Sequence, residues 1–312
     1  MLKNVSKQLK KPPPEFSVLD DVIDTLRFRG SIFFHSNLAA PWGISMSSIK
    51  NPRFHIALEG SFYIGTGAKP VNVSPMDIVM IPNGEMHWIA DQVDRELVTD
   101  EQSGDACSLG TPLFQKGTIT NRIMCGLIEY EELVTHPFTS VLPSIIHLDN
   151  INPEHSIWMA VKLIDEEIRR TNNLKNSIID RLTEVLFIKL LNKFVNENKH
   201  LTGFLAALKE PSLHKILQLI HKYPEKQWTL EKIGEVVGMS RATVQRKFKD
   251  RLGVSPIMYL SSWRMAKAYQ MLKHSNLTLE RIADAIGYSD SHSFRTAFKR
   301  HYGFTPSSLR GK

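Results

Sequence analysis

Cysteine is nearly absent: Cys107 and Cys125 are the only two in 312 residues. Two thiols cannot build a disulfide framework or a four-thiolate zinc site, and their scarcity suits a reducing cytosol. Long apolar runs are missing too. No stretch approaches the roughly 20 residues needed to cross a bilayer, and the opening MLKNVSKQLKKPPP lacks the apolar core of a secretory signal. A soluble, cytoplasmic chain without a membrane partner is therefore expected. Acidic charge is short in one half only. Residues 212–312 carry 18 Lys and Arg against 7 Asp and Glu, a net +11, whereas 1–211 carry 21 against 25, a net −4. A basic half on a mildly acidic remainder points to one part that meets nucleic acid and another with a separate task. The length allows each its own core.

The basic half contains an internal repeat, TLEKIGEVVGMSRATVQRKFKDRLGVSP (229–256) and TLERIADAIGYSDSHSFRTAFKRHYGFTP (278–306). Each copy reads as helix, tight turn, helix. Thr229 is placed to cap a helix with Leu230, Ile233 and Val237 inward, and Gly238 can end it in the left-handed conformation. Ser240 can then cap a second helix with Val244, Phe248 and Leu252 inside. Its opposite face presents Ala242, Gln245, Arg246 and Lys249 at i, i+3, i+4 and i+7, with Arg241 at its start. In the second copy Phe294 and Phe298 point in, while His292, Arg295, Thr296 and Lys299 point out. Such faces can read base edges and neutralise phosphates. A duplicated pair of them at matched positions is more than two solvated helix faces. Between the copies, Met258, Ser261, Met265, Ala268 and Leu272 recur at three and four. They predict one long helix that spaces the two outer faces.

At these residues the sequence resembles the DNA-binding domain of AraC/XylS-type bacterial transcription regulators. The match runs through GMS, RKFK, GVSP, WRMAKA (263–268), IADAIGYSD (282–290) and GFTPSSLR. The resemblance implies double-stranded promoter or operator DNA and RNA polymerase as partners, a nucleoid-associated location and, more often than not, activation. Thr296 stands where the family usually has Arg, and Arg295 falls one residue early, so the second module is expected to read bases less strictly.

Residues 1–14 read as a disordered basic arm. Short β-favouring runs follow at Ser31–Phe34, Ile44–Ile49, Phe54–Leu58, Phe62–Ile64, Asp77–Ile81 and Arg122–Ile128. They predict a barrel or sandwich over 15–150, with a mobile loop at 91–116. FHIALEGSFYIG (54–65) and PNGEMH (82–87) resemble a cupin barrel of the sensor kind found in some AraC-type regulators. Pro82, Gly84 and His87 match the second cupin motif, but the first lacks His-x-His and keeps only His55. Helices are expected at 151–197, one with Ile157, Val161, Ile164 and Ile168 aligned. The other shows Ile179, Leu182, Leu186 and Leu190, widened by Phe187, Leu191 and Phe194. That width suggests packing on the barrel and on a second subunit, hence a homodimer. Residues 198–211 read as a linker, with Ser212 capping the first helix of a 212–312 DNA-binding domain.

The expected fold is thus α+β with two domains, an N-terminal cupin-like β-barrel with following helices and a C-terminal all-α double helix-turn-helix. The candidates for signal sensing are His55, His87 and Cys125. Two imidazoles and a thiolate could bind a metal ion such as Zn²⁺. A thiolate beside imidazole could sense oxidants, with Cys107 as resolving thiol. The plain alternative is a buried cysteine and two satisfied histidines. No catalytic residue is assigned. The expected function is a sequence-specific DNA-binding regulator answering a small-molecule, metal or oxidant effector. The alternative is a metal-dependent cupin enzyme fused to a DNA-binding domain.

Overall fold

The computed structural model describes residues 16–67, 69–109, 111–131 and 142–310, so the basic arm lies outside the described residues. The chain separates into two compact units. One holds the described strands in two five-stranded sheets. The first sheet has the spatial order β1 (Arg29–Ala39), β9 (Ile119–Glu129), β3 (Arg53–Glu59), β6 (Ile78–Ile81), β10 (Ile146–Leu148), with antiparallel neighbours throughout. The second runs β5 (Val71–Val73), β4 (Phe62–Gly65), β7 (His87–Ala90), β2 (Gly43–Met46), β8 (Val98–Thr99). Alternate residues of each strand turn inward. Ala57, Val79, Ile81, Ile123 and Cys125 of the first sheet share one apolar cluster with Ile44, Met46, Phe62, Ile64 and Ile89 of the second. Each large side chain so buried contributes roughly 1.5–3 kcal/mol. Trp42 joins the cluster, and its indole N–H donates to Asn121 Oδ1 at 3.0 Å.

The segment expected to be a mobile loop, 91–116, instead contributes β8 and a helix, α2 (Asp100–Ser108). Asp100 anchors it by accepting from the Ser47 amide (3.1 Å) and hydroxyl (2.9 Å). Two longer helices follow, α3 (Ser156–Thr171) and α4 (Ser177–Glu197). Asn176 caps α4 from its side chain, and an Asn172 in the left-handed conformation closes α3. The broad stripe of α4 is covered within this unit, where α4 lies along β1 and α3. Ile179, Leu186, Phe187, Leu190, Leu191 and Phe194 are all buried. This stripe therefore needs no second subunit to cover it. Gly30 of β1 allows the approach, since a Cβ there would meet Thr183 Cβ at 2.7 Å. Buried Asp165 of α3 accepts from His35 at 2.8 Å and Arg169 at 2.6 Å, with Arg122 at 3.4 Å. This cluster ties the helix to the sheet.

The other unit joins α1 (Val18–Leu26) to the chain from Thr202 onward. The sequence-based boundary at residue 15 puts α1 with the barrel, whereas its contacts lie with the helical unit. Its Val18, Val22 and Leu26 are buried, and it packs on α6 (Pro211–Lys222) and α9 (Pro256–His274). Asp21 binds Lys267 Nζ at 2.5 Å and the imidazole of buried His221 at 2.9 Å. His221 in turn meets the Tyr259 hydroxyl at 2.7 Å. The segment expected as linker contains α5 (Gly203–Lys209), whose Phe204, Leu205 and Ala207 are buried against α6 and α8 (Arg241–Leu252). Helix α6 starts at Pro211 with Glu210 as its N-cap, two residues ahead of the expected Ser212 cap.

The repeat forms two helix-turn-helix modules, α7 (Leu230–Val237) with α8, and α10 (Leu279–Ala285) with α11 (Ser291–Tyr302). Thr229 accepts from the Lys232 amide and Ser240 from that of Thr243, which are the expected caps. Gly238 ends α7 at φ +71°. The long helix α9 connects the modules. It is buried on more sides than its spacing suggested: Tyr259, Trp263 and Ala266 are inside, whereas Met258 is 62 % exposed.

Candidate nucleic-acid interface and buried barrel site

Helix α8 keeps Val244 and Phe248 at 0 % exposure and turns Arg241, Ala242, Arg246 and Lys249 to solvent. Gln245 is half-buried beside them. The sequence-based face is thus present with one member partly sunk. Arg241 pairs with Glu231 at 3.0 Å and Arg246 with Asp250 at 3.8 Å, both across exposed surface. Such pairs are worth about 0–1 kcal/mol and yield readily to a phosphate or a guanine edge. Lys247, a basic residue of the same helix, pairs with Glu210 at 2.9 Å and stays on the protein side. On α11, His292, Arg295, Thr296 and Lys299 are exposed while Phe294 and Phe298 are fully buried. Exposed Arg300 follows Lys299 on the same helix. Asp290 caps α11. Hydrogen bonds from the Ser293 amide and hydroxyl hold its carboxyl at about 2, so it stays ionised.

Inside the barrel, His55 of β3 sits in register with Cys125 of β9, while His87 reaches in from the opposite sheet. The Cys125 Sγ lies 3.0 Å from His55 Nδ1, and His55 Nε2 lies 2.8 Å from His87 Nε2. His87 Nδ1 is 2.7 Å from the Glu85 carbonyl oxygen. These contacts fix the protons. A carbonyl only accepts, so His87 Nδ1 donates to it. Neutral His87 then accepts at Nε2, so His55 donates from Nε2. Neutral His55 accepts at Nδ1, and the Cys125 thiol donates to it. The four groups form a directional chain from thiol to carbonyl.

Burial keeps every member neutral. It holds His55 well below the usual imidazole range, reinforced by His87 and Arg53, and brings His87 down to about 4. Burial also pushes the Cys125 thiol well up, against the pull of Arg53. Arg53, two residues before His55 and so on the same strand face, was missed; strand alternation could have found it. Its guanidinium donates to the Ser47 carbonyl at 2.8 Å and lies 3.6 Å from Asp100. Gly126, beside Cys125, is required by packing, since a Cβ there would collide with the Phe54 ring.

The chain does not suit a single metal ion. Cys125 and His87 occupy opposite ring nitrogens of His55, and one ion cannot take both edges of an imidazole. Among the described residues no group of three or more His, Cys, Asp or Glu converges to hold one. Cys107 lies on α2, and its side chain falls outside the described residues. No described helix is long and apolar enough to cross a membrane.

Comparison with known proteins finds two families in the chain. Residues 17–196 match the cupin family and residues 233–312 a helix-turn-helix domain. The HTH-type transcriptional regulator AlkR of Acinetobacter baylyi is 29 % identical over 311 residues, covering 94 % of this chain and 98 % of its own length. The RCS-specific HTH-type transcriptional activator RclR of Escherichia coli is 27 % identical over 193 residues, covering 60 % of this chain and 67 % of its own. Among solved structures, ToxT of Vibrio cholerae covers 91 % of this chain and is itself covered to 97 %, at 13 % identity and a TM-score of 0.36. The C-terminal domain of AraT from Geobacillus stearothermophilus covers 33 % of this chain and is itself covered to 85 %, at 34 % identity and a TM-score of 0.32.

Proposed function

Because the chain belongs to the cupin family through residues 17–196 and is an AraC-type transcription regulator through the helix-turn-helix domain that follows, we propose that it activates promoters in response to a signal read at the Cys125–His55–His87 chain. The observation that carries this reading is the presence of two exposed basic helix faces, on α8 and α11, together with a polar chain inside a largely apolar barrel core. Arg246 and Gln245 of α8 read bases beside Ala242, which packs on them, Arg241 and Lys249 hold phosphates, and Arg295, Lys299 and His292 of α11 serve the second half-site beside Thr296. Relatives named as activators, RclR among them, support the sign of regulation. RNA polymerase is then the partner that activation engages, and the cytoplasm is where both are met.

The signal reading follows from the direction of the chain. Cys125 hands its proton to His55 while His55 hands its own to His87, which leaves a thiolate and an imidazolium two groups away. Attack of that thiolate on a hydroperoxide breaks the O–O bond. It forms the Cys125 sulfenic acid, and the departing alkoxide takes the proton held on His87 and leaves as an alcohol, or as water when the oxidant is hydrogen peroxide. The new hydroxyl cannot fit where the thiol packed, and the strand must shift. Burial makes the step slow in the resting barrel, so a response within minutes requires an opening motion. The test compares promoter output of wild type and Cys125→Ser under added hydroperoxide, alongside genome-wide binding with and without it. Loss of response in the variant supports the reading. A full response in Cys125→Ser transfers the signal to an organic ligand.

A further inference from the structure

We propose that Arg264, Gln227 and Gly287 latch the two helix-turn-helix modules into one rigid reader and so set the half-site spacing the protein accepts. This rests on the DNA-binding reading above and goes beyond it. The modules are joined covalently by α9, 19 residues and so about 28 Å long. A helix that touches each module at one end leaves both free to rock. A second connection removes that freedom.

It is built from the loop before α7 and the turn between α10 and α11. Arg264, midway along α9, donates from Nε to the Pro224 carbonyl at 2.7 Å and from Nη2 to the Lys226 carbonyl at 2.9 Å. The same guanidinium lies 5.9 Å from the centre of the Tyr288 ring, in the second module's turn. Gln227 crosses directly, its Nε2 donating to the Gly287 carbonyl at 2.6 Å. The loop is itself held to its own module. Trp228 Nε1 donates to the Tyr223 carbonyl at 3.0 Å, and Lys232 Nζ of α7 donates to the Gln227 carbonyl at 3.1 Å.

The two turn glycines show that the contact is particular to the second module. Gly238 and Gly287 occupy corresponding turns, at φ +71° and +80°. A Cβ on Gly238 would meet nothing within 4 Å. One on Gly287 would run into the Glu225 carbonyl oxygen and lie 2.6 Å from Arg264 Nη2. The first turn needs glycine for its backbone alone, whereas the second also needs it because the other module presses there. Arg264 is suited to its place because one planar fork serves two carbonyls and an aromatic face, which a lysine ammonium cannot do.

Two modules fixed in phase gain most from half-sites at the matching separation and lose it when that separation changes. Each inserted base pair turns one half-site by about 34–36° and moves it about 3.4 Å. The experiment uses the full chain and a bipartite site selected from random duplexes, with spacers altered by −1, +1 and +2 base pairs. Wild type should lose at least about tenfold in affinity for a two-base-pair insertion. Gln227→Ala, which removes one exposed amide, and Arg264→Ala should cut that discrimination to about threefold or less. Both should keep single-half-site affinity within about twofold. Gly287→Ala, checked for native circular dichroism, should do the same. If Arg264→Ala does not fold, Gln227→Ala decides alone. A folded variant with the wild-type spacer profile overturns the latch. Selection that yields no bipartite site overturns the DNA-binding reading, and the latch with it.

Discussion

Acid should unfold the barrel earlier than its carboxylates alone would require, because its interior holds two neutral histidines. His87 titrates at about 4 in the fold and at about 6.5 when unfolded. The folded value is the lower one, so this contribution is complete above about pH 6.5 and is lost as pH falls toward 4. Between those limits the unfolded chain holds a proton that the native barrel refuses, and stability drops by about 1.4 kcal/mol per pH unit. Integrated from neutrality, His87 alone removes about 2 kcal/mol by pH 5 and about 3 kcal/mol by pH 4. His55 acts in the same direction. Against a total of roughly 5–15 kcal/mol this is a large share. The assay is urea unfolding at pH 7, 6 and 5, followed by tryptophan fluorescence, to which Trp42 and Trp88 of the barrel contribute. His87→Gln keeps a polar partner for His55 without a titrating group. Its stability should therefore fall less steeply with acid, by about one proton's worth of slope. Equal slopes in wild type and variant would refute the neutral chain.

Four further outcomes follow from the surfaces. Arg246→Ala should cost about 1–3 kcal/mol on the selected site and relax choice at one base pair, as measured by titration at fixed salt. Lys249→Ala and Lys299→Ala should weaken binding to every sequence and lower the slope of log affinity against log salt by about one unit each. Saturating mutagenesis of the site should find one strict half and one tolerant half, since α11 offers Thr296 where a guanidinium would read a base; equal strictness would return base reading to Arg295 or His292. The barrel unit exposes Met159 and Leu163 on α3, at 54 % and 51 %, with Ile178 and Val185 of α4 also exposed. With the α4 stripe covered internally, this is the apolar face left for the homodimer expected from the sequence to use. Leu163→Glu should shift a dimer to monomer in light scattering, and an unchanged mass would remove α3 from the interface.

The helix-turn-helix modules were legible because their signals are local. Thr229, Ser240 and Gly238 each act within one turn of chain, and the repeat supplied a second reading of each. The barrel was legible in outline from Phe54, Ile56 and the runs like them, but four short strands, β5, β7, β8 and β10, carried too few alternations to register. Helix α2, with the sequence DEQSGDACS, has almost no apolar residues and so no periodicity to find. Helix α1 was the opposite case. Val18, Val22 and Leu26 mark its apolar face plainly, yet nothing in them says which core that face will join. His55, His87 and Cys125 were identifiable as residue types, whereas the chain they make depends on which ring edge meets which partner. Arg264 was invisible as a latch because its acceptors are backbone carbonyls about 40 residues away, which leave no mark on the sequence.

The most direct measurement is selection of random-sequence duplexes by the purified full chain at near-physiological salt, followed by titration of the enriched site. The expected product is a bipartite site whose half-sites are centred about 34 Å, or one helical turn, apart. It should bind at least about a thousandfold more tightly than unselected DNA, with Arg246→Ala losing part of that margin. Enrichment of no sequence above the non-specific background, or a site whose affinity is untouched by Arg246→Ala and Lys299→Ala together, would contradict the assignment of α8 and α11 as the DNA-reading helices.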